Sequence, residues 1–306
     1  MTVDACLPPH LRGPTTTITK MAIGFSGAAV YRVEASGQTF ILKITDQAAP
    51  IDAWRRALRI QQLAAEASLA PAIVHVDEAQ RAIVTAFVVD KSFAALFHNP
   101  ATRDTALDRA ATTLKRIHQI PVPDSEYRDP VKFLSTIWAT MAADDGVPSF
   151  ARDTIQRLLT EKPPALDRAM VLSHNDVNPT NVRYDGERVV LLDWDVAALN
   201  DPLYDLATLA MFFRMDDESC RRLLAAYDGE SPAVLPQRFV YNRRLVAVLC
   251  GAAFLGTGTQ GTETLEDTAP LAEIYRRMMT GALNLAAPEG RRAFGLALIK
   301  EGITRA

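Results

Sequence analysis

The segment that most narrows what this chain can fold into runs from Leu172 to Asp195. It gathers His174, Asp176, Asn181, Asp193 and Asp195 into one short stretch. Its second half reads as a β-hairpin, with strand-like runs at 181–184 and 188–192 and the turn pair Asp185-Gly186 between them. Val189-Val190-Leu191-Leu192 is apolar without alternation, which predicts a strand buried on both faces. Such a hairpin returns Asn181, at the start of one strand, to the same end as Asp193, at the finish of the other. Asp176 stands in the loop just before. An amide and a carboxylate delivered to one point are suitable oxygen ligands for Mg²⁺. A further carboxylate beside them can orient a hydroxyl and accept its proton. The plainer alternative is a chance cluster of polar loop residues. Asp193, ending a buried strand directly after a hairpin, weighs against it.

The 306 residues are long for one compact core and suit two lobes. A hydrophobic fraction of 48% and a charged fraction of 23% are those of an ordinary soluble globular protein. The net charge of −3 gives no pull toward nucleic acid or a membrane surface. Cys6, Cys220 and Cys250 are too scattered for a metal-ligand spacing or a disulfide framework. The N-terminus lacks a basic-then-apolar leader and no apolar run is long enough to span a bilayer, so the expected location is cytoplasmic.

Along the chain, Thr15–Met21 is strand-like. Then come the glycine-containing run from Ile23 to Val33, the turn Ser36-Gly37, and the strand Thr39–Ile44. Gly24 and Gly27, with Ser26 between them, let backbone N–H groups approach phosphates, although two glycines alone also fit an ordinary hairpin. Lys43 shifts the balance: it interrupts an apolar strand, where an unpaired ammonium is costly, and so needs an anionic partner. A helix over 52–69 follows, then strands at Ile73–Val76 and Arg81–Val89. Beyond Asp90 the pattern becomes helical. Leu107, Ala110, Ala111, Leu114 and Ile117 form one stripe, and further helices are expected near 131–143, 205–215, 216–228, 237–255, 265–285 and 291–301. Aromatics such as Trp138 and Tyr241 suit either a core or a cation-binding pocket. Asp205 reads as an N-terminal helix cap. The glycine-rich stretch 256–262 follows a helix and lacks the Gly-Lys-Ser/Thr ending, so it reads as a connector rather than a phosphate loop.

His174-Asn-Asp176 followed by Asn181, a hairpin and Asp193-Trp-Asp195 resembles the catalytic and metal-binding segments of the protein-kinase-like fold. With Leu199–Leu206, it is similar to the aminoglycoside phosphotransferase and choline kinase family, and to its choline-kinase-like members in particular. The resemblance implies a two-lobed α+β architecture: a β-rich nucleotide-binding lobe at 1–88, and a helical lobe at 89–306 with the catalytic loop and acceptor pocket. It implies ATP and Mg²⁺, with Asp176 as catalytic base, Asn181 and Asp193 as metal ligands, and Lys43 on the nucleotide phosphates. The glycine loop at Gly24, Ser26 and Gly27 would cover those phosphates, while backbone groups at Ala86, Phe87 and Val88 would meet the adenine. His174 and Asp205 would support the catalytic loop; Asp195 stays open between a metal-site helper and a substrate contact. The sequence departs from the fold's usual pattern on the first helix, where a glutamate normally pairs with the strand lysine. Arg55, Arg56 and Arg59 stand there instead, and Glu66 is the candidate, against a reading as a solvated helix charge. Asp193 is followed too soon by Asp-Pro-Leu-Tyr-Asp-Leu to leave room for a long activation loop, so a protein substrate is not expected. The implied reaction is transfer of the γ-phosphoryl group to a hydroxyl of a small molecule of the choline or ethanolamine type. The alternatives are an aminoglycoside phosphotransferase and a catalytically inactive nucleotide-binding module.

Overall fold

The protein is described by a computed structural model covering residues 2–21, 28–121, 126–141, 146–258 and 261–304. The chain forms two compact units, Met1–Ser125 with Leu172–Ala198, and Glu126–Val171 with Leu199–Ala306. By contacts, the hairpin therefore groups with the N-terminal strands.

The first unit carries a five-stranded antiparallel sheet. Its strands are β1 (Thr17–Lys20), β2 (Ala29–Ala35), β3 (Gln38–Ile44), β4 (Ile73–Asp77) and β5 (Ala82–Ala86), in the order β1-β2-β3-β5-β4. Side chains alternate across a pleated strand, and β3 obeys this. Phe40 and Leu42 enter a core with Cys6, Leu7, Leu11, Val33 and Val84, so Lys43 points to the opposite face. Its register partners there are Val30 and Ile83. The last strand stops at Ala86, short of the expected Val89. Helix α1 (Ile51–Glu66) buries Trp54, Ile60 and Ala64. The sequence does not announce α2 (Phe93–His98), a single short helix capped by Ser92 Oγ, which accepts from the Ala95 N–H. Helix α3 (Arg103–His118) buries the stripe predicted for it, together with His118.

The predicted hairpin forms as β7 (Val182–Tyr184) and β8 (Val189–Leu191). Its connection is four residues, closed by the Asp185 carboxylate, which accepts from the backbone N–H groups of Glu187 and Arg188, each at 2.9 Å. Gly186 sits at φ +110°, a backbone conformation that residues with a side chain rarely adopt, so any substitution there is strained. All of β8 is buried. Its Leu191 N–H donates to the Leu69 carbonyl at 2.9 Å, and Thr113 Oγ1 of α3 donates to the Val189 carbonyl at 3.3 Å. Strands β6 (Val171–Ser173) and β9 (Ala198–Asn200) lie where the chain passes from one unit to the other.

The second unit is helical: α4 (Pro130–Met141), α5 (Ser149–Thr160), α6 (Pro202–Phe212), α7 (Asp217–Asp228), α8 (Gln237–Leu255), α9 (Leu271–Met279) and α10 (Pro288–Thr304). Helix α8 is buried on most sides and packs chiefly on α10 and α6. At its crossing with α10, a Cβ on Gly251 would lie 2.7 Å from the Gly295 carbonyl oxygen, so the helices meet backbone to backbone. Helix α6 begins earlier than its apolar run suggests. Its N-cap is Asp201, which accepts from the Leu203 N–H at 2.9 Å, and Asp205 lies fully buried inside the first turn rather than capping it. No helix among the described residues is long and apolar enough to cross a membrane.

Candidate active site

All the polar residues singled out between His174 and Asp195 belong to the first unit. His174 is completely buried and serves as a scaffold. The Asp176 N–H donates to its Nδ1 at 3.3 Å, so the proton must sit on Nε2, which donates to the Leu192 carbonyl at 2.9 Å. The ring stands edge-on to Trp194, with centroids 4.8 Å apart. Asn175 and Asp193 both occupy the left-handed backbone region, at φ +65° and +61°. Asn and Asp tolerate that region better than other side chains, and such conformations cost about 1–3 kcal/mol where the surroundings enforce them. The Asn175 amide supplies part of the enforcement, donating to the Val196 carbonyl at 3.0 Å.

Both oxygens of the Asp176 carboxylate are held. Oδ1 accepts from Asn178 Nδ2 at 2.8 Å, and Oδ2 accepts from Asn181 Nδ2 at 2.7 Å. Asn181 Nδ2 also donates to the Asp176 carbonyl at 3.0 Å, which turns its own Oδ1 away from Asp176. The Leu192 N–H donates to the Asn181 carbonyl at 2.8 Å, joining the start of one hairpin strand to the end of the other.

The strand lysine finds its anionic partner in this same segment. Lys43 Nζ lies 2.7 Å from Asp193 Oδ1 and 2.6 Å from Asp195 Oδ2. Burial on its own lowers the pKa of this ammonium, but the two carboxylates outweigh burial and hold it above the ordinary lysine value. Asp195 is thereby placed beside Lys43, while Glu66 is not. Glu66 is exposed at the C-terminal end of α1, and the two hairpin aspartates hold Lys43 instead.

The oxygen donors here are the Asn181 Oδ1 and the carboxylates of Asp193 and Asp195, two of which already converge on one cationic atom. That set suits a hard divalent ion. Among the described residues, no group of three or more His, Cys, Asp or Glu is arranged as a metal site, so any such ion would depend on the Asn181 amide. Gly24, Ser26 and Gly27 lie outside the described residues. At the end of β5, the Ala86 N–H is engaged by the Ala72 carbonyl at 2.9 Å, and that of Phe87 by Thr39 at 3.2 Å. An adenine contact at Ala86 would therefore have to use something other than its N–H. Val88 lies just beyond, past the end of the strand.

In the second unit, Trp138, Tyr204 and Tyr241 belong to the apolar core, with Phe212 and Tyr275 packed against it. The faces of Trp138 and Tyr241 are already covered by Arg152 and Arg238, at 5.9 and 5.8 Å. The core reading of these aromatics therefore holds over the pocket reading. Sequence reasoning missed Asn178 and Asn175; the only signal was the density of Asn residues around Asp176.

Residues 17–238 match the model of the phosphotransferase enzyme family. Over 58 residues the chain is 37% identical to Protein LicA of Haemophilus influenzae, a stretch making up 19% of this chain and 22% of that protein. The chain thus aligns with about a fifth of the length of the curated relatives it matches. Among solved structures it resembles a choline/ethanolamine kinase family protein from Mesorhizobium loti, with TM-score 0.61 and 18% identity, covering 97% of this chain and 95% of that one. It also resembles an aminoglycoside-3'-phosphotransferase of type VIII, with TM-score 0.59 and 20% identity, covering 78% of this chain and 94% of that one. At such identities the structural likeness is one of fold, the α+β kinase-like fold. With the family match spanning most of its length, the chain belongs to the phosphotransferase enzyme family.

Proposed function

We propose that this phosphotransferase is ATP- and Mg²⁺-dependent and moves the γ-phosphoryl group to a hydroxyl of a small molecule, choline- or ethanolamine-like. The observation that carries the proposal is the Asp176 carboxylate, held at both oxygens one hairpin end away from two further aspartates gathered on Lys43. In the step we assign, the acceptor oxygen attacks the γ-phosphorus and forms a new O–P bond. The bond from that phosphorus to the β–γ bridging oxygen breaks, and its electron pair leaves with ADP. The hydroxyl proton passes to the Asp176 carboxylate and later to solvent. Asp176 orients the hydroxyl, and Lys43 supplies positive charge to the nucleotide phosphates. Asn181 and Asp193 would hold Mg²⁺, which when bound neutralises phosphate charge and aligns the transferring group. The lobe boundary at 88/89, the glycine loop over the phosphates and a cytoplasmic location belong to the same proposal.

A choline- or ethanolamine-type acceptor is supported by the fold shared with the choline/ethanolamine kinase family protein from Mesorhizobium loti. The second reading, an aminoglycoside acceptor, is supported by the fold shared with the type VIII enzyme. Steady-state assays of ADP formation with choline, ethanolamine and a panel of aminoglycosides distinguish the two. Turnover on choline or ethanolamine is expected. Turnover on an aminoglycoside with none on either amino alcohol would reverse the order.

A further inference from the structure

We propose that Asn178 is a positioning residue for the transfer reaction, and that Thr180 fixes the orientation in which it works; the proposal rests on the reading of Asp176 as catalytic base. The first observation is geometric. A carboxylate on a loop can turn about its own side-chain bonds, and a base that must meet one hydroxyl loses rate whenever it turns away. Asn181 holds only Oδ2 of Asp176, at 2.7 Å, and one contact at one oxygen leaves the plane of the carboxylate free to tilt. Asn178 Nδ2, at 2.8 Å from Oδ1, supplies the second point that fixes the plane.

The second observation concerns Asn178 itself. An amide can present either its nitrogen or its oxygen to a neighbour, and its oxygen would repel the carboxylate. Its Oδ1 accepts from the Thr180 N–H at 2.8 Å and from Thr180 Oγ1 at 2.5 Å. The backbone N–H can only donate, so the oxygen must lie at that end, and the nitrogen is delivered to Asp176. The Asn178 N–H in turn donates to the Asp176 carbonyl at 2.9 Å, closing the loop on itself. Asn178 is only partly buried and Thr180 is exposed, so neither serves as core packing. The donated hydrogen bonds leave lone pairs on both Asp176 oxygens, so the carboxylate keeps the capacity to receive a proton.

The test uses the full chain with MgATP, read both as transfer to choline and as hydrolysis to water in the absence of an acceptor. Asn178→Ala is expected to lower kcat about tenfold, with the KM for ATP within twofold of the parent, since only the base is misdirected. Thr180→Val, which removes the hydroxyl but keeps the backbone donor, is expected to lower kcat by a smaller factor, and Thr180→Ser to restore it. Far-UV circular dichroism and thermal melts of each variant separate lost folding from lost orientation, and the exposed Thr180 variants carry the test if Asn178→Ala unfolds. In an Asp176→Asn background, Asn178→Ala is expected to cost nothing further. An unchanged kcat in a folded Asn178→Ala, or an equal loss in the Asp176→Asn background, overturns the positioning role while leaving Asp176 as base. Turnover of Asp176→Asn within threefold of the parent removes the base reading itself.

Discussion

Replacing Asp201 with alanine tests how much of the helical unit hangs on one buried carboxylate. Asp201 is 1% exposed and serves three donors. It caps α6 through the Leu203 N–H at 2.9 Å, and it receives Arg238 Nε at 2.7 Å and Asn242 Nδ2 at 2.8 Å. Loss of an N-cap costs about 1 kcal/mol by itself. Stripping a buried ion of its partner costs about 3–5 kcal/mol. Arg238 retains the Pro164 carbonyl at 2.8 Å and a 16% exposed side chain, which brings its share toward the lower end. Asn242, 1% exposed, keeps its Nδ2 donor but loses the Asp201 oxygen that accepts from it. These terms overlap, and we expect Asp201→Ala to lose about 3 kcal/mol overall. Asp201→Asn should lose a similar amount, since its single amide oxygen can serve either the Leu203 N–H or the Arg238 and Asn242 donors, and its NH2 group then faces donors on the other side. Urea unfolding followed by far-UV circular dichroism, with the slope compared between variants, measures both. A loss below about 1 kcal/mol for the alanine variant, the range of an exposed ion pair, would refute the reasoning.

Other outcomes follow from the site and the core. Asp176→Asn should lower turnover by about 10²–10⁴ while leaving nucleotide affinity nearly unchanged, because the carboxylate acts on the acceptor; kinetics paired with calorimetric nucleotide titration checks this. Asp193→Ala should weaken nucleotide binding only when Mg²⁺ is present; equal metal dependence in mutant and parent would remove Asp193 from the ligand set. Tyr241 has a buried hydroxyl with no partner among the described residues, and burial pushes its pKa up to about 12. Tyr241→Phe should therefore be neutral or stabilising by about 1 kcal/mol at neutral pH. The folded-state pKa of Tyr241 is raised, so its stabilising contribution is full below the unfolded value and is lost as pH rises toward about 12. Denaturation midpoints between pH 10 and 12 should thus fall less steeply in Tyr241→Phe than in the parent.

The hairpin was legible in the sequence because its determinants are local: a turn pair, a non-alternating apolar strand and polar residues at both ends. Lys43 was legible as a charge that needed a partner, since a lysine between Leu42 and Ile44 breaks the strand's pattern. Its partner was not legible, because Asp193 is 150 positions away and nothing local encodes that register. Glu66 is nearer in sequence and lies on the first helix, whereas Lys43 is held by two carboxylates that follow the hairpin, Asp193 and Asp195. Helix α5 carries Ala151, Ile155 and Leu158 at helical spacing, a clear stripe hidden in a stretch with several prolines. Asp205 misled as a cap because its apolar run begins at Leu206, while the helix actually starts at a proline directly after Asp201.

The first compact unit is assembled from two stretches of chain with residues 126–171 between them, and this has a consequence during synthesis. When α3 has emerged from the ribosome, the groups that will receive β8, Thr113 Oγ1 and the Leu69 carbonyl, still have no strand to meet. About 70 further residues must be made first, a delay of roughly 4–15 s at ordinary translation rates. Through that interval the apolar stripe of α3 stands without its strand. A nascent chain stalled before Leu172 is thus a natural client for a holding chaperone, and a fragment cut there is expected to aggregate rather than fold.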